Sequence, residues 1–142
     1  LSIEKSYRLV PRELSIEYNA YESGLDRFVH PAKGDFIGRD ALVAAKEKGL
    51  AWNFVTMEVH GVTDGDSDAR GSEPLYHNGK LIGRATNGGY GFRVNKSLAL
   101  GMVQPEHSAI GTELEIKILG KLFKATVIAE SPFDPENKTL RA

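Results

Sequence analysis

Asn78-Gly79 stands between Pro74-Leu-Tyr-His77 and Lys80-Leu-Ile-Gly-Arg-Ala-Thr86, two short stretches with strand character. Both turn residues tolerate positive φ, which makes this dipeptide the strongest short hairpin signal a sequence can carry. It commits the region to antiparallel strands, and the flanking sequence agrees. Upstream, Val55, Met57 and Val59 alternate with Thr56, Glu58 and His60, the period of a strand with one buried face. Downstream, Asn87-Gly-Gly89 predicts a further turn, and Leu98 to Val103 a short apolar strand. Leu114, Ile116 and Ile118 then alternate with polar partners. After Gly120-Lys121, so do Phe123, Ala125, Val127 and Ala129, which predicts a second hairpin. Short strands with regular turns point to a small barrel or sandwich.

The first 50 residues read differently. Leu1 to about Val10 is amphipathic and reads as the end of a helix stopped by Pro11. Tyr21 to Val29 reads as a helical turn running into a strand, and Pro31 to Gly34 as a loop. Residues 35–49 carry the best helix signal. Ile37, Ala41, Leu42 and Ala45 share a face, Asp35 or Gly38 can start the helix, and Gly49 suits its C-terminal end. The expected fold is therefore α+β and β-rich, with one unit over residues 1–50 and a β domain over 51–142. The chain opens without Met inside an amphipathic stretch, and we read it as a fragment.

Composition removes several classes. Eighteen basic residues oppose nineteen acidic ones, so there is no concentrated positive field for nucleic acid. No apolar run approaches the roughly 18 residues that span a membrane. Cysteine is absent, which excludes disulfides, thiolate metal sites and a cysteine nucleophile. Asp64-Gly-Asp-Ser-Asp68 resembles the start of a calcium loop. Ala69 and Leu75, however, occupy the positions that need glycine and glutamate, so we read a solvated turn and no metal. The glycines at 83, 88, 89 and 91 lack the Gly-Lys-Ser/Thr ending of a phosphate loop and read as turn residues between strands. His30, His60, His77 and His107 have no metal-ligand spacing and read as single surface or turn residues. No serine lies in a nucleophile elbow. Glu4 is the acid of most interest: it lies between Leu1, Ile3 and Tyr7, where a carboxylate needs a partner. Lys5, Arg8 or plain exposure would answer that need.

The segment around Glu4 is also similar to a known family. Leu1-Ser-Ile-Glu-Lys-Ser-Tyr-Arg8 resembles the Leu-Arg-Leu-Glu segment of the glycine-cleavage T-protein, or aminomethyltransferase, family. Tyr21-Glu-Ser-Gly-Leu25 and Lys33-Gly-Asp-Phe-Ile-Gly-Arg-Asp-Ala-Leu42 resemble later stretches of it. So do Ala69-Arg-Gly-Ser-Glu-Pro74, Gly79 to Gly83, Ser97 to Val103 and Phe133-Asp-Pro-Glu-Asn137. Asn87 to Gly91 and Pro132 to Arg141 look most like the folate-binding C-terminal region of dimethylglycine and sarcosine dehydrogenases, where an FAD-containing half precedes it.

The resemblance implies the C-terminal part of a folate-binding fold that ends in a small antiparallel β-barrel. It implies tetrahydrofolate as cofactor, with FAD elsewhere in the parent chain, and a small amine donor of the one-carbon unit. A lipoyl carrier protein would be a further partner, and the location cytoplasmic or the mitochondrial matrix. Carried over, Glu4 matches the glutamate that binds the pterin ring, and Lys33 is the nearest candidate to face the anionic folate tail. Arg70 matches a family arginine, with an expected loop-fixing role. The family's catalytic aspartate precedes the segment that Glu4 matches, and a tyrosine common near its C-terminus is replaced by Lys138-Thr139. No catalytic residue, and no turnover by these residues alone, is therefore expected. Two other readings are a non-catalytic barrel that docks a carrier or subunit, and a methyltransferase or demethylase on the same scaffold.

Overall fold

The computed structural model describes residues 1–62 and 66–142. Positions 64 and 65 of the rejected calcium loop lie outside the described residues. After α1 (Arg39–Lys48) come six strands: β1 (Asn53–Val59), β2 (Pro74–His77), β3 (Lys80–Gly91), β4 (Lys96–Val103), β5 (Glu113–Ile118) and β6 (Lys121–Ile128). A four-residue helical turn, α2 (Lys138–Arg141), ends the chain. The strands close an antiparallel barrel in the order β1-β4-β3-β2-β5-β6, with β6 returning to β1. The β-rich fold ending in a small antiparallel barrel is as expected, and of the two all-β alternatives the barrel is the one formed.

Inward residues of every strand fill the barrel: Val55, Met57, Leu75, Ile82, Ala99, Val103, Ile116, Ala125 and Val127 are all buried there. A second apolar cluster lies outside the barrel wall. Phe54 of β1 and Leu98, Leu100 and Met102 of β4 pack there with Ile3, Tyr18 and Trp52. The strand β4 is thus covered on both faces, which explains its continuous apolar run. The first residues of the chain form that outer cover.

Three local expectations are corrected. Leu1 to Val10 is not a helix end: a 3-10 turn spans Ile3–Lys5 and is stopped by Ser6 in the left-handed region at φ 53°. Tyr21 to Val29 leads into a 3-10 turn, Asp26–Phe28, and not a strand. Asn87-Gly-Gly89 is not a turn either. β3 runs on through Gly91 past an irregularity between Ala85 and Asn87, and the chain reverses after it. The glycines of β3 serve close approach of backbones instead. A Cβ on Gly88 would meet the Ala69 carbonyl oxygen at 2.6 Å, and one on Gly83 would collide with the Met102 carbonyl. The helix α1 begins after Gly38 and ends at Gly49 as anticipated, yet none of its residues is buried.

The two hairpins are built alike. Asn78 and Gly79 adopt φ of 50° and 77°, and Leu119 and Gly120 adopt 46° and 82°. Asparagine suits the first position; leucine does not, and Leu119 is 85% exposed. Leu119→Asn is expected to stabilise the fold by about 1 kcal/mol, from relief of that backbone strain. A urea midpoint unchanged or lower in this variant would show that the turn carries no such strain.

Candidate functional site

The N-terminal cover is held by polar groups that its sequence disguises. Glu4, Glu13 and Glu22 are all buried, and each carboxylate accepts a backbone N–H. The Glu13 carboxylate accepts from Leu9 N at 2.8 Å and also from the Thr86 hydroxyl on β3. The Glu22 carboxylate accepts from Asn19 N at 3.0 Å and Ala51 N at 3.1 Å. Arg8 lies against the Phe54 ring and makes a two-pronged ion pair with Glu130, with N···O distances of 2.8 and 3.0 Å. Ser6 accepts from Thr56 of β1 at 2.8 Å and from Ser131 N at 2.9 Å. Sequence spacing could not reveal these partners, because most lie more than 50 positions away or are main-chain groups.

Glu4 sits where the first turn meets the C-terminal segment. Its Oε1 accepts from Arg93 N at 2.6 Å. Its main-chain carbonyl accepts from Phe133 N at 3.1 Å. The anticipated partners are engaged elsewhere. Lys5 Nζ donates to the Asp134 carbonyl at 2.5 Å and to Asn137 Oδ1 at 2.7 Å, and Arg8 goes to Glu130. The residues that hold Glu4 open onto a cavity of about 310 Å³, walled by Leu1, Tyr7, Arg93, Phe133 and Leu140. Glu4 itself, 3% exposed, is not among the residues that line this cavity.

Lys33 and Arg70 lie apart from this group. Lys33 is exposed, its ammonium 4.9 Å from the Phe36 ring centre. Arg70 works through its main chain: its N–H donates to Glu73 Oε1 at 2.8 Å, and its carbonyl accepts from Arg12. That is a loop-fixing arrangement, and it lines two surface cavities that include neither Glu4 nor Lys33. Arg84, on the barrel wall, donates to the Tyr18 hydroxyl and pairs with Glu17. The hydrogen bond to Tyr18, followed by Glu17, outweighs desolvation and raises the guanidinium above its ordinary pKa, so it stays charged throughout the working range. Of the histidines, His77 and His107 are brought together with ring centres 4.7 Å apart, which spacing did not reveal. Among the described residues no cluster of three metal-ligating side chains forms, and no helix is long and apolar enough to cross a membrane.

Residues 53–134 match a family described as the glycine cleavage T-protein C-terminal barrel domain. Mitochondrial dimethylglycine dehydrogenase of Rattus norvegicus is 39% identical over 92% of this chain. The aminomethyltransferase of Desulfitobacterium hafniense is 38% identical over 90% of it. The chain spans 15% of the first relative and 34% of the second. A solved structure of glycine cleavage system aminomethyltransferase T from Bartonella henselae superposes on 95% of this chain and 37% of its own, with a TM-score of 0.85 and 22% identity. At that identity the likeness establishes the fold.

Proposed function

The chain belongs to the glycine cleavage T-protein C-terminal barrel family, and from that premise we propose that it is the C-terminal part of a tetrahydrofolate-dependent, aminomethyltransferase-type protein in which Glu4 receives the pterin ring. The observation that carries this reading is the state of Glu4. It is 3% exposed, with one oxygen fixed by the Arg93 N–H. A buried carboxylate is costly unless its acceptor capacity is used. A ring edge with adjacent N–H groups would use that capacity, and the cavity lined by its partners Arg93 and Phe133 is mostly apolar. In kind, a carboxylate acceptor and an apolar wall are what a pterin ring needs.

When bound, tetrahydrofolate accepts the one-carbon unit of a small amine donor. The work of these residues is to bind and orient. Arg93 N–H fixes the rotation of the Glu4 carboxylate, so little side-chain freedom is lost on binding. The Phe133 N–H fixes the backbone that carries it. Arg70 holds its loop, and the exposed Lys33 offers a cation for an anionic tail. We assign no catalytic role within these 142 residues and propose that a longer polypeptide supplies the acid, the remaining ring walls, and any carrier or FAD-dependent step.

Calorimetry with tetrahydrofolate tests the proposal. The 142-residue chain is expected to bind weakly or not at all, and a longer polypeptide carrying it to bind. In that longer polypeptide Glu4→Gln keeps an acceptor for Arg93 N–H but turns the second oxygen into a donor. Affinity should fall about tenfold or more, since a charge-assisted hydrogen bond is lost. Unchanged affinity in Glu4→Gln would end the assignment of Glu4.

A further inference from the structure

We propose that Asn78 is a site of spontaneous covalent modification, where the side-chain amide is exchanged for a carboxylate with Gly79 as internal nucleophile. The Gly79 main-chain nitrogen attacks the carbonyl carbon of the Asn78 side chain. The new N–C bond closes a cyclic imide, the bond to the side-chain NH2 breaks, and the Gly79 proton leaves with it as ammonia. Water then opens the imide at either carbonyl. One opening gives aspartate. The other gives isoaspartate, whose main chain runs through the former side chain and is longer by one carbon. A following glycine favours the attack, because it has no side chain to shield its nitrogen.

The structure selects among the six asparagines. Four have their side chains held. Asn19 Oδ1 accepts from Tyr21 N and Glu22 N, and Asn53 Nδ2 donates to Ser108. Asn95 Oδ1 accepts from the Tyr90 hydroxyl, and Asn137 Oδ1 from Lys5. None of the four precedes glycine, whereas Asn78 and Asn87 do. Among the described residues neither of these two side chains makes a hydrogen bond. Their surroundings separate them. Asn87-Gly88 lies within β3, paired with Leu100 and Ala99 of β4, and the Ala69 backbone closes on Gly88. Asn78-Gly79 is the exposed tip of the β2–β3 hairpin, and a Cβ on Gly79 would meet nothing within 4 Å. Imide closure takes Asn78 out of its turn conformation. At the tip this frees only the end of a hairpin, beyond the pair His77↔Lys80. At Gly88 it parts the middle of the β3–β4 ladder, an opening of much higher free energy.

The product changes its surroundings. Asn78 shares a cavity wall with Glu113, Glu115 and Lys124, so the new carboxylate adds a third acid there. Isoaspartate also lengthens a two-residue loop whose length fixes the strand register.

Tryptic peptide mapping by mass spectrometry tests the proposal on the 142-residue chain, held at mildly alkaline pH both folded and in urea. Cleavage at Lys80 and Arg84 puts the two asparagines in different peptides. In the folded chain the Asn78 peptide is expected to gain the mass of OH for NH2 at least about tenfold faster than the Asn87 peptide. In urea the two rates should agree within about twofold, since both are then Asn-Gly in an open chain. Similar rates in the folded chain would overturn the proposal. So would no gain at Asn78 in the folded chain while the unfolded chain gains it. The modified chain, separable by its extra negative charge, should unfold at lower urea concentration; an unchanged midpoint would refute the stated effect on the hairpin.

Discussion

Gly83→Ala is expected to cost about 3 kcal/mol, enough to unfold much of the population of a marginal domain. The cause is backbone packing, not lost flexibility. β3 and β4 pair at Gly83↔Val103. A Cβ added at Gly83 would run into the Met102 carbonyl and come within 2.9 Å of the Val103 Cα. Both obstacles are main-chain atoms of a strand covered on both faces, so neither can swing aside. Relief requires β3 and β4 to separate, which breaks ladder hydrogen bonds and opens both apolar clusters. Gly89, six positions along the same strand, is the control. A Cβ there meets only the Ile3 methyl at 3.8 Å, an ordinary contact. Gly89→Ala should stay within about 0.5 kcal/mol of the unsubstituted chain. Urea denaturation of the two variants decides the matter: similar midpoints would refute the account.

Glu13→Ala is expected to cost a comparable amount, about 3 kcal/mol, for an electrostatic reason. The Glu13 side chain is fully buried and joins the N-terminal cover to the barrel wall, accepting from Leu9 N and from Thr86 on β3. Its main-chain carbonyl also accepts from the Ser23 hydroxyl at 2.7 Å. Truncation leaves two donors without an acceptor and a hole where the carboxyl stood. Removing the second donor as well should recover part of the loss, because an unpaired buried donor costs more than an absent one. Glu13→Ala combined with Thr86→Val should therefore be less damaging than the sum of the single variants. Strict additivity in denaturation midpoints would show that the Glu13–Thr86 contact is not energetically coupled.

These two positions mark where sequence stops being informative. The strands were readable because period-two patterning is local. Val55, Met57 and Val59, or Leu114, Ile116 and Ile118, announce a face without reference to anything else. The Asn78 turn was readable for the same reason. Asn87 to Gly89 misled because glycine has two uses, and the contact that decides between them, Ala69 against Gly88, is set by tertiary packing. Buried Glu13 and Glu22 left no trace, since a carboxylate satisfied by main-chain N–H groups looks like any surface acid in a sequence. Closure of the barrel through β1 and β6 was equally hidden, because its pairs, such as Thr56↔Ile128, are far apart along the chain. Glu4 stood out through its apolar neighbours and through family likeness, but its partner Arg93 not at all.

The clasp between the first turn and the last segment also sets an order of events. Lys5 is tied to Asn137, and Glu4 to Phe133. During synthesis the ribosome makes the first of each pair about 130 residues before the second, a wait of roughly ten seconds at ordinary elongation rates. Glu4 must spend that interval unfixed, with its acceptor oxygens in water. Glu4 is thus translated well before the residues that fix it, so a chain that stops short of Phe133 carries Glu4 without the backbone contact that holds it.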